Sequence, residues 1–133
     1  MFGDAHPDTL TSVDNLAQLL LAQGDLRGAE PLFREALAGQ RHALGDAHLD
    51  TLTSVSNLAS LLQAKTDLGS SEALFREALK GFRRALGDAD PKTRTATASL
   101  AAVLEARGKR GEARALREGA KERPTLIYFL RSL

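Results

Sequence analysis

Apolar residues in this chain recur at helical spacing, in blocks punctuated by glycine and aspartate. Leu10, Val13, Leu16, Ala17 and Leu20 fall three or four residues apart and so share one helix face. Pro7, after His6, suits the first turn of that helix. Gly24 closes the block where a left-handed turn is needed, and Asp25 can cap the next helix. A second stripe runs through Leu26, Ala29, Leu32, Phe33, Ala36 and Leu37 to Leu44, and Gly45 ends it. The pattern then recurs, with Asp90-Pro91 as the strongest cap and first-turn pair. It predicts an all-α chain with helices near 7–23, 26–44, 49–65, 68–86, 91–107 and 110–122.

The recurrence is a true repeat. Gly3, Gly45 and Gly87 each open a Gly-Asp-Ala triplet, at a spacing of 42 residues. About 29 of the 42 paired positions in the first two units are identical, without a gap. The third unit is degenerate but keeps phase, since Leu16, Leu58 and Leu100 correspond, as do Ala17, Ala59 and Ala101. A fixed period of this length predicts a solenoid of helical hairpins, with units at 3–44, 45–86 and 87–128 and an apolar tail at 124–133. A single hairpin cannot bury both its faces, and stacking supplies a continuous core. Ala17, Ala29 and Ala36 allow close backbone approach, with Phe33 and Phe75 as large knobs beside them. Thr66 stands where the other units have Gly24 and Gly108, and a β-branched residue is poorly suited to a left-handed turn.

Gly24, Ala29, Phe33 and Ala36, following Leu16-Ala17 and Leu20, resemble the tetratricopeptide repeat (TPR) pattern. The 42-residue unit, with HPDTLTSVDNLAQLLLAQGDLRGAEPLFREAL, is similar to the kinesin light chain form, in which the second helix is extended. The resemblance covers about residues 3–122. Kinesin light chains carry a longer array and an upstream coiled coil, whereas this sequence has three units and no heptad segment. The resemblance implies a superhelix whose first helices line a concave groove. It also implies that asparagine at one repeat position contacts the backbone of a bound peptide, which points to Asn15 and Asn57.

Composition narrows the chemistry. Among 133 residues, 43% are hydrophobic and only 5% aromatic, so Ala and Leu must fill most of the core. With no Cys there is no disulfide, thiolate metal site or thiol nucleophile. The first eight residues lack the segments of a signal peptide. No apolar run approaches the roughly 18 residues of a membrane span. A soluble, cytoplasmic chain with no membrane contact is the expectation. The net charge of +1 hides a gradient, with −3 over residues 1–44, 0 over 45–86 and +4 over 87–133.

Candidate chemistry is sparse. His6 and His48 are repeat equivalents at helix starts, suited to capping, and with His42 they show no metal-ligand spacing. No G-x-S-x-G elbow occurs, and Gly69-Ser70-Ser71 lacks the lysine of a P-loop. The expectation is a non-enzyme with no cofactor and no metal. The last helix, Lys109 to Glu118, is basic, and Arg117 falls where Phe33 and Phe75 sit in earlier units. Glu112, Glu118 and Glu122 interleave with its bases and no aromatics accompany it. A polar terminal face explains it better than nucleic-acid binding.

The functional candidates lie on the first helices, off the apolar stripe. Thr11, Asn15 and Gln18 share a face at i, i+4 and i+7; Thr53, Asn57 and Ser60 repeat it, and Thr95 and Ser99 follow with Ala102. A carboxamide offers a donor and an acceptor to a peptide unit. The alternative is that the asparagines serve solvation or bonding between repeats. The expected function is protein–protein interaction, with an extended peptide or partner helix in the groove. The second expectation is self-assembly into a homo-oligomer through the terminal faces, because Leu126 to Leu130 in the tail are too apolar to leave in water. Pro124 is expected to interrupt the last helix and the tail to cover its exposed face.

Overall fold

The computed structural model describes residues 7–119. The helices are α1 (Pro7–Ala22), α2 (Leu26–Leu44), α3 (Leu49–Ala64), α4 (Leu68–Leu86), α5 (Pro91–Ala106) and α6, which covers 110–119 of the described residues. The expected elements are present, with ends within one residue where both ends are described. His6, the expected break at Pro124 and the apolar tail lie outside the described residues.

Local chemistry sets each boundary. Asp25 accepts the Gly28 N–H at 2.9 Å, and Asp90 accepts the Lys92 N–H at 2.9 Å. His48 is also a cap, its Nδ1 accepting the Asp50 N–H at 3.0 Å. Each first helix ends in the same crossed pair of bonds. Asp25 N–H reaches Leu20 O and Gly24 N–H reaches Leu21 O; Asp67 and Thr66 repeat this on Leu62 and Gln63, and Lys109 and Gly108 on Leu104 and Glu105. This closure requires a left-handed residue at its hinge. Gly24 and Gly108 supply φ of +82° and +80°, and Thr66 adopts +65°. The repeat geometry therefore overrides the preference of the threonine side chain.

The hairpins stack in two layers. First helices α1, α3 and α5 form one, and second helices α2, α4 and α6 the other; from α1 to α5 each helix packs on the next in sequence, and Ala113 and Leu116 of α6 join the same core. Ala17, Ala59 and Ala101 are fully buried, as are Ala29, Ser71 and Ala113 at the facing positions. These small residues bring the layers together around Phe33 and Phe75. At the position of those phenylalanines in the third unit, Arg117 pairs instead with Glu105.

One core expectation needs correction. The apolar stripe puts Leu16 in the core, yet it is 48% exposed, and Leu19 is 54% exposed. Their equivalents Leu58, Leu61, Leu100 and Val103 are buried. In the second and third units a preceding hairpin covers these positions; among the described residues none covers them in the first.

Candidate functional site

The third turn of each first helix faces the neighbouring repeat, and the residues there differ between the two junctions. Between the first and second units, Asp14 fills the space. Its Oδ2 accepts from Gln18 Nε2 at 3.0 Å, one turn along α1, and from Asn57 Nδ2 at 2.9 Å across to α3. Asp14 is 8% exposed, and among the described residues its Oδ1 has no hydrogen-bond partner. Burial pushes its carboxyl above the usual range, and the bonds from Asn57 and Gln18 offset only part of that. Deeper in the same junction, Ser54 Oγ donates to Gln40 Oε1, and both residues are buried.

Between the second and third units each of these groups is replaced. Ser56 and Ser99 stand at the positions of Asp14 and Asn57, and Phe82 and Ala96 at those of Gln40 and Ser54. Two short hydroxyls replace the amide–carboxylate bridge, and an apolar pair replaces the polar one. The result is an open cavity of about 340 Å³ between α3 and α5. Phe75, Phe82 and Ala96 form its apolar floor, and serine, threonine and asparagine side chains form its rim. Exposed Lys92 supplies a cation at one edge.

Five of the eight residues expected from sequence meet at this cavity: Thr53, Asn57, Ser60, Thr95 and Ser99. Thr11, Asn15 and Gln18 do not line it. They are exposed on α1, one repeat earlier. Thr53 Oγ1 donates to the Leu49 carbonyl at 3.0 Å within its own helix, which uses its proton and leaves the oxygen as an acceptor. Asn57 spends one N–H on Asp14 and so serves a bond between repeats as well as a place on the rim.

Sequence reasoning did not find Asp14, Ser56, Lys92 or Phe82 as site residues. A signal for two of them was present. Asp14 and Ser56 occupy equivalent positions where the units disagree, and such disagreement in a near-identical repeat marks where the junctions differ. Among the described residues no group of three or more His, Asp or Glu is placed to hold a metal ion. Among them, too, no helix is long and apolar enough to cross a membrane.

Family models of the tetratricopeptide repeat match this chain over residues 9–50 and 50–118. Comparison with curated proteins gives no match. Among solved structures, BtubC (BKLC) from P. vanneervenii superposes with a TM-score of 0.84 at 22% identity, over 94% of this chain and 50% of that one. A putative kinesin light chain with nearly identical TPR-like repeats, from Podosopora anserina, gives 0.82 at 27% identity, over 87% and 55%. A point variant of that Podosopora anserina protein gives 0.78 at 25% identity, over 93% and 59%. The chain spans roughly half the length of the solved chains it matches.

Proposed function

Because the chain belongs to the tetratricopeptide repeat family, with repeats of the kinesin light chain type that mediate contacts between proteins, we propose that it binds an extended peptide along its first helices. The observation that carries this reading is the cavity between α3 and α5. A Phe75–Phe82 floor takes an apolar side chain, and the hydroxyl and amide rim takes the peptide units on either side. Asn15 and the free amide valences of Asn57 hold backbone. Thr11, Gln18, Thr53, Ser60, Thr95 and Ser99 tune which side chains fit. A partner helix suits the site less well, since its own backbone groups are already bonded and would leave the polar rim unpaired.

The test is partner capture by the intact chain and by an Asn15→Ala/Asn57→Ala variant, read by mass spectrometry. Since Asn57 also bonds Asp14, an Asp14→Ala variant serves as the control. Partners lost with the two amides but kept with Asp14→Ala support the groove. Partners kept by all three contradict it.

A second reading has its own observation, the exposure of Leu16 and Leu19 at the first unit's outer face. Stacking buries the equivalent residues elsewhere, so association of two copies would bury these. Light scattering across concentration tests it. A dimer abolished by Leu16→Glu/Leu19→Glu supports it, and a monomer throughout rejects it.

A further inference from the structure

The layer of second helices contains an ion pair at one junction and a gap at the next. Arg41 on α2 grips Glu77 on α4 through two bonds, at 2.6 and 2.9 Å, and also bonds Asp46 at 2.8 Å. A bidentate fork of this kind is among the stronger polar contacts in proteins. One repeat later Arg83 keeps the loop partner, Asp88, at 3.0 Å. The residue equivalent to Glu77, however, is Gly119, which has no side chain. Among the described residues a Cβ added at Gly119 would meet nothing within 4 Å, so none of them fills the place of the missing carboxylate.

The surroundings have gained positive charge where they lost the negative one. Lys80 and Arg84 stand where the first unit has Ala38 and His42. Both are exposed, and neither has a carboxylate partner among the described residues. With Arg76 and Arg83 they rim a cavity of about 360 Å³ whose apolar wall includes Leu79 and Leu116.

We propose that this cavity between α4 and α6 docks an acidic, amphipathic segment of a partner protein. A glutamate of that segment takes the place that Glu77 fills at the preceding junction and bonds Arg83. Further acids face Lys80 and Arg84, and an apolar side chain lies on Leu79 and Leu116. The leucine wall favours a peptide over a phosphate backbone, and among the described residues no aromatic side chain lines the cavity for a base to stack on. The site lies in the layer opposite the first-helix groove and stands or falls separately from it.

The probe is a short, capped helical peptide with Leu and Glu spaced as Leu74 and Glu77 are, labelled for fluorescence anisotropy against the full chain. It should bind saturably, and a version with Gln for Glu should bind about tenfold more weakly. Gly119→Glu supplies the carboxylate in cis and should weaken the peptide by a similar factor while the melting temperature holds or rises. Asn57→Ala should leave it unchanged. Equal binding of the Glu and Gln peptides overturns the proposal, as does full binding to a folded Gly119→Glu chain or no binding at all. Tighter competition by a single-stranded oligonucleotide or by anionic vesicles assigns the cavity to another ligand and also overturns it. Binding that appears only after removal of residues 120–133 assigns the cavity to this chain's own end, with the same consequence.

Discussion

Thr66 holds a backbone angle that its own side chain opposes. At φ +65° a β-branched residue crowds the following carbonyl, whereas glycine at the equivalent positions does not. Thr66→Gly is therefore expected to stabilise the chain by about 1 kcal/mol, net of the extra freedom glycine gives the unfolded state. Thermal unfolding at neutral pH checks it, and a lower melting temperature would mean the hydroxyl's bond to Lys65 outweighs the strain. This strain was legible in the sequence because the other two units carry glycine at that position. The Asp14–Asn57 bond was not legible. It joins residues 43 apart through a packing contact, and nothing in either helix's periodicity distinguishes a bridging carboxylate from a solvated one.

Between elements, ion pairs link each second helix to the neighbouring repeat. Glu30 on α2 takes Lys65 from the turn after α3, and Glu72 on α4 takes Arg107 and Lys109 from the turn after α5. Glu72 is buried, which alone would raise its carboxyl. The bonds from Arg76, Lys109 and Arg107 outweigh burial and hold it down to about 2. A folded-state value below the unfolded one contributes stability that is present above the ordinary glutamate range and lost as pH falls toward 2. Glu72→Gln should therefore lower stability by about 2 kcal/mol at pH 7. The gap from the parent chain should close on acidification from about pH 5 to pH 2. Melting curves across that range decide it, and a gap that stays constant with pH would show that the amide packs poorly rather than that the charge matters. In the third unit Arg114 occupies the same position and pairs within its own helix with Glu118 at 3.0 Å. The hairpins and their caps could be read from sequence since they depend on local residue types. Exposure of Leu16 could not, because it is set by whether another hairpin lies alongside.

Across the whole molecule, repeats in strict phase make the differences between units informative. Where the units agree, at Ala17, Ala59 and Ala101 or at Phe33 and Phe75, the residues build the stack. Where they diverge, the junctions acquire separate surfaces. The change from Asp14, Asn57, Gln40 and Ser54 to Ser56, Ser99, Phe82 and Ala96 converts a filled junction into a cavity. The sequence pattern places Thr53, Asn57, Ser60, Thr95 and Ser99 on one side of the solenoid. It does not separate them from Thr11, Asn15 and Gln18, because the depth of the groove at each junction depends on side chains from two repeats at once. The peptide anchor proposed for this cavity is tested by a selection of random peptides on the intact chain. The selected peptides are then titrated against Ser99→Arg, which fills the cavity, and against Gly119→Glu in the opposite layer. Peptides anchored there should lose at least about tenfold in affinity on a folded Ser99→Arg chain and bind Gly119→Glu as they bind the parent. Peptides that bind folded Ser99→Arg as tightly as the parent chain would contradict it.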